Sequence, residues 1–191
     1  GAHQVVDRRH EVAVTVSRRR ALALGGAVLL GPALARADDL RPTAPPAADA
    51  PAWSAYESRL RARLGDAGGG RFDPAGAREM LDLTNRARAA DGAPPVAWHD
   101  ELSETARAHA ADLAKRGYVE HLSPEGFDPS HRFWLLARTT IGSPAENIAY
   151  HRGEAAPAGP GQLLRIWRDS PGHWRNLLRA SHTHAGFGLV R

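Results

Sequence analysis

The sequence predicts an α+β domain, and three observations carry that reading. Apolar residues recur at helical spacing in four separate stretches after residue 72. Each stretch is bounded by good punctuation, such as Asp73-Pro74 and Gly92 around the first, Gly117 after the second and Asp128-Pro129 before the third. The chain then closes on "SHTHAGFGLVR", where Ala185, Phe187 and Leu189 alternate as a strand does. Helices with a few short strands between and after them make an α+β fold.

In order, the first element is "SRRRALALGGAVLLGPALARA". A basic cluster leads into an apolar run from Ala21 to Ala35, and Ala35-Arg36-Ala37 has the small-x-small form of a leader cleavage site. The run is too short and too rich in Gly and Pro to span a membrane. Residues 1–37 therefore read as an export signal with an upstream extension. Ser17-Arg18-Arg19 resembles the twin-arginine signal, with Ala21 and Ala23 where that signal carries an aromatic and a lysine. An ordinary Sec signal with extra arginines is the other reading. Both place the mature protein, starting near Asp38, outside the cytoplasm, secreted or periplasmic. Gly1 is not a methionine, which fits a fragment.

Residues 38–72 form a Pro/Ala/Gly-rich linker with one short amphipathic helix. "DDLRPTAPPAADAP" is an extended tether, then Trp53, Tyr56, Leu60 and Leu64 recur at helical spacing until "GDAGGG" stops the pattern. That helix reads as lying on the domain or on a partner, with simple docking the preferred reading.

The domain itself is residues 73–191. Met80, Leu83, Thr84 and Ala87 share a face of its first helix, and "PPVAW" turns into a brief extended piece. Leu102, Ala106, Ala110 and Leu113 stripe the second helix, with His109 near them as a packed or half-exposed residue rather than a ligand. A loop bearing His121 precedes the third helix. "AENIAY" and an Ala/Pro/Gly loop follow, then a fourth helical stretch broken at Pro171. Trp134, Trp167 and Trp174 read as packing residues, and His182 and His184 as exposed on one strand face.

Composition narrows the function. The chain has 191 residues and a net charge of +4, but residues 1–37 alone carry six arginines against Asp7 and Glu11. The remainder is neutral overall, so no basic stripe is left for nucleic acid. There is no cysteine, and stability must come from packing without disulfides. A monomer is expected.

One residue poses a chemical question. Glu146 stands directly before Asn147, Ile148, Ala149 and Tyr150, a core-like run, and an ionised carboxylate is buried only when something answers it.

Four ordered segments, "LTNRARAADGAPPVAWHDELSETARAHAADLA", "HLSPEG", "AENIA" and "WRDSPGHWRNLL", resemble the bacterial branch of the CAP superfamily, the SCP domain shared with cysteine-rich secretory proteins, antigen 5 and pathogenesis-related 1 proteins. The resemblance covers Glu79 to Val190. It implies a three-layer α-β-α sandwich, a secreted protein, and a cleft holding His121, Glu146 and His173, with Asn147 and Ser170 nearby. Two histidines and a carboxylate are a common first shell for zinc or another divalent cation.

Three departures stand out. Ala145 replaces the usual Gly, Ser170 stands where animal and plant members have a second cleft glutamate, and the chain stops where members continue into further strands. The resemblance thus implies a domain truncated at its C-terminal strands, with the last strand left unpaired at an edge.

Three functions follow as expectations. The first is a binding module for a lipid-like or other small ligand. The others are a metal-assisted hydrolase with Glu146 as catalytic base, and a cell-envelope interaction domain with a vestigial cleft.

Overall fold

The computed structural model describes residues 24–32, 49–139, 144–151 and 158–191, the first of these as backbone only. The basic part of the leader, the tether up to residue 48 and most of the Ala/Pro/Gly loop lie outside the described residues.

Six helices and four strands are described: β1 (Leu24–Pro32), α1 (Ala50–Arg63), α2 (Pro74–Ala90), β2 (Ala97–Trp98), α3 (Asp100–Arg116), α4 (Pro129–Leu136), β3 (Ala145–His151), α5 (Pro160–Arg168), α6 (Pro171–Leu178) and β4 (His182–Leu189). The sheet order is β2-β4-β1-β3, with β1 antiparallel to both neighbours and β2 parallel to β4. Helices cover both faces. On one side, α2, α5 and α6 bury Met80, Leu163, Trp167, Leu177, Phe187 and Leu189 in a large apolar cluster. On the other, α3 packs small residues, Ala106 and Ala110, with Leu102 and Phe133. Six helices and a small sheet make the expected α+β fold.

The helix boundaries follow local chemistry. The Asp73 carboxylate accepts from the Gly76 amide at 2.9 Å, and Gly92, just past the end of α2, has φ +76°. Gly117 ends α3 in the left-handed region at φ +70°. Asp128 and His131 form a reciprocal capping box on α4. Pro171 opens α6 where the fourth helical stretch breaks.

Two glycines set how closely α3 approaches the sheet. A Cβ at Gly186 would stand 2.1 Å from the Ser103 amide nitrogen, and one at Gly188 2.2 Å from that of Arg107. Only a strand without side chains on that face lets α3 lie this close.

Several expectations change. Part of the leader's apolar run, Leu24–Pro32, is a strand between β3 and β4, with Leu29 in register with both Glu146 and Gly186. The last strand is therefore not an unpaired edge: β4 lies inside the sheet, because β1 and β2 occupy its two sides. Trp134 is exposed rather than packed, although its ring meets Trp53 at near right angles. His182 is buried, its Nε2 lying 3.3 Å from Asn176 Oδ1, so it does not share the exposure expected for the His182/His184 face. The docking of α1 agrees with its spacing, for Tyr56 and Leu60 are fully covered.

Candidate functional site

β3 carries Glu146 and Asn147 on alternate faces, and each is met by a different layer. Glu146 turns toward α3 and α4, with its side chain 1% exposed. The partner that answers it is Arg132 of α4, itself fully buried, whose Nη2 donates to both carboxylate oxygens at 2.9 and 2.8 Å. Nη1 of the same guanidinium donates to the carbonyls of His121 and Phe127, at 2.9 and 3.1 Å. One arginine thereby fixes both the carboxylate and the loop that brings the histidine to it.

His121 lies on that loop, with Nδ1 2.9 Å from Glu146 Oε1 and its side chain 43% exposed. His109 of α3 approaches from behind, its Nε2 3.7 Å from the same oxygen. It is fully buried, and Nε2 donates to the Glu120 carbonyl at 3.1 Å. A carbonyl only accepts, so Nε2 carries a proton.

The electrostatics follow from burial and one fixed charge. Burial alone would raise the Glu146 pKa, but Arg132 first, and then the neighbouring imidazoles, outweigh it and hold the group at about 2. His109 is pushed down to about 3 by burial and by Arg132, against the pull of Glu146. Burial would weaken the Arg132 guanidinium, and Glu146 more than offsets it. The site at neutral pH is thus a buried ion pair of zero net charge backing a half-exposed imidazole.

On the other face, Asn147 Nδ2 donates to the His173 carbonyl at 2.9 Å, and its Oδ1 accepts from Asn176 at 2.8 Å. Asn147 is therefore a strut that seats the start of α6 against β3. The His173 ring lies within electrostatic reach of His121, and burial, followed by that neighbour, lowers its pKa. Ser170 occupies the cap position of α6 without a side-chain capping bond.

The zinc expectation meets a poor donor set. Both oxygens of Glu146 are already hydrogen-bonded to a guanidinium, whose permanent positive charge opposes a second cation at that carboxylate. Among the described residues no group of three His, Cys, Asp or Glu side chains is arranged to hold a metal. As arranged among the described residues, His121, Glu146 and His173 do not form a first shell for the ion.

Sequence reasoning missed Arg132 and passed over His109. The signal was available: Arg132 falls one turn before Leu136 on the buried stripe of a well-capped helix, and a buried arginine calls for a buried acid.

Residues 81–191, more than half of the chain, match the family described as CAP, the cysteine-rich secretory protein family. The chain belongs to the CAP family. It does so with no cysteine of its own. Two relatives from Bacillus subtilis (strain 168) are similar to part of the chain. The uncharacterized protein YkwD is 32% identical over 59% of this chain and 42% of its own length. The uncharacterized membrane protein YlbC is 30% identical over 60% of this chain and 31% of its own. The chain thus spans less than half of either relative. A crystal structure of an extracellular SCP-domain protein from Bacillus anthracis str. Ames matches in fold with a TM-score of 0.53 and 24% identity, over 64% of this chain and 44% of that one. No described helix is long and apolar enough to cross a membrane.

Proposed function

We propose that the protein is an exported CAP-domain binding module that seats the polar group of a small ligand on His121. The observation that carries this is the arrangement behind the histidine. Glu146, kept ionised by Arg132, accepts from Nδ1, so the half-exposed ring is held in one orientation with Nε2 left for a ligand's polar group. His173 adds a second imidazole on the α6 side.

The same geometry argues against Glu146 as a catalytic base. A carboxylate held near pKa 2, with both oxygens occupied, has little affinity for a proton at neutral pH. Export is supported by the basic-apolar-small pattern of residues 18–37 and by the description of the Bacillus anthracis protein as extracellular. Cleavage after Ala37 would separate β1 from the sheet. N-terminal sequencing of the exported protein decides between a start near Asp38, which requires another strand between β3 and β4, and retention of β1.

Native mass spectrometry tests the binding reading. The purified protein is mixed with a lipid extract and, separately, with soluble fragments of the bacterial envelope. Retention of a small molecule by the parent, reduced about tenfold or more in His121→Ala, is expected, since about 1.4 kcal/mol for one lost polar contact gives that factor. No retention by the folded parent would overturn it, and turnover lost in His121→Ala would make the protein an enzyme instead.

A further inference from the structure

α1 precedes the family-matched residues, yet it packs against the loop that carries His121. Its Tyr56 ring stacks flat on Phe127 at 4.2 Å between centroids, 6° from parallel, and Trp53 meets the same ring edge-on at 4.7 Å. Arg59 reaches Glu125 at 2.6 Å. Phe127 and Glu125 belong to the loop of residues 118–128 that carries His121, and the Phe127 carbonyl is one of the groups held by Arg132. An unbroken chain of contacts therefore runs from α1 through Phe127 and Arg132 to Glu146 and His121.

We propose that α1 is a positioning element of the cleft, in which Tyr56 and Arg59 hold the 118–128 loop in the register that keeps His121 on Glu146. The loop has no regular helix or strand, and its internal ties are the Ser123–Phe127 and Gly126–Ser123 hydrogen bonds. Arg116 of α3 also donates to both Glu125 oxygens, at 2.7 and 3.1 Å, so Arg59 shares that carboxylate, while the Tyr56 stack on Phe127 belongs to α1. Aromatic stacking and a partly exposed ion pair are modest interactions singly, but they act on adjacent residues of one short segment. The consequence is that the segment between leader and domain is part of the site, and a partner or force acting on the tether would reach His121 through α1.

The proposal rests on His121 as the ligand-facing group, but its test needs no ligand, so the two readings fail separately. Three variants of the full chain are compared: Tyr56→Ala, Tyr56→Phe and Arg59→Gln. Amide hydrogen exchange of residues 118–128 and the ¹⁵N signals of the His121 imidazole are followed at neutral pH, below each variant's melting transition. Tyr56→Ala should speed exchange in the loop about tenfold and mix the His121 tautomers, and Arg59→Gln should do the same more weakly. Tyr56→Phe keeps the stack and should lie much closer to the parent than Tyr56→Ala. If Tyr56→Ala does not fold, Arg59→Gln, which breaks a pair one-third exposed on each side, still carries the test. Unchanged loop exchange and an unchanged His121 signal in the folded variants would overturn the proposal, leaving α1 a stabilising helix with no hold on the cleft.

Discussion

The two sides of the sheet are buried equally well by opposite means. Against α2, α5 and α6 the sheet presents Phe187 and Leu189 to Trp167, Met80 and Leu177, a core of large apolar side chains held by their removal from water. Against α3 and α4 it presents Glu146 and two bare glycines, and the groups that meet them include Arg132 and His109, as inaccessible as any leucine in the molecule. A site needs the second kind of surface. A charge is retained in a fold's interior where an opposite charge and hydrogen bonds meet it, as Arg132 meets both oxygens of Glu146, and such a contact fixes orientation as well as volume.

That contrast predicts different failures on the two sides. The largest effect is expected for Arg132→Met, which leaves Glu146 buried and unpaired and should cost about 3–5 kcal/mol in urea unfolding. Adding Glu146→Leu to that variant should recover much of the loss, although it removes a second native residue. A double variant no more stable than the single would show that the ion pair is not what the fold depends on there. On the apolar side, Leu177→Ala should cost about 2–5 kcal/mol through its cavity. No second substitution that merely removes a charge should rescue it. Gly188→Ala comes next, at about 1–3 kcal/mol, because α3 must move away from β4 to admit one methyl group.

Much of this fold is legible in the sequence because its signals are local. The stripe of Leu102, Ala106 and Ala110, the caps at Asp73 and Asp128 and the break at Pro171 all follow from residues within one or two turns of each other. The sheet is less legible. Leu24–Pro32 is a continuous apolar run, and such a run reads equally as a leader or as a strand covered on both faces. In the site, the pairing of His121 with Glu146 was reached through family resemblance. Arg132 was not, because its partner lies on another element and no periodicity links a helix to the strand it will face. His182 was misread for a similar reason, since its cover comes from Asn176 on α6.

The smallest effect is one of pH and again belongs to the polar side. His109 is neutral in the fold, with a pKa of about 3, whereas an unfolded histidine titrates near 6.5. As pH falls below 6.5 the unfolded chain takes up a proton that the fold refuses, so stability falls from there down to about pH 3. Between pH 6.5 and 5 this amounts to about 2 kcal/mol. His109→Gln should flatten the slope of unfolding free energy against pH in that window, whatever it does to the absolute stability. His182, lowered to about 4 by burial and by Arg179 and Arg88, should leave a residual slope of the same sign.

The central claim is that Glu146 stays ionised because Arg132 holds it, and that this ionised group orients His121. The most direct measurement is the carboxyl ¹³C shift of Glu146, followed by NMR from pH 7 downward in the folded protein. An unchanged shift through the ordinary carboxylate range, with any change confined to the approach to pH 2 or to acid unfolding, is the predicted result. A midpoint at the ordinary glutamate value or above it would contradict the account, for Glu146 would then be a carboxyl group free to take a proton and available as the base the ion pair is held to exclude.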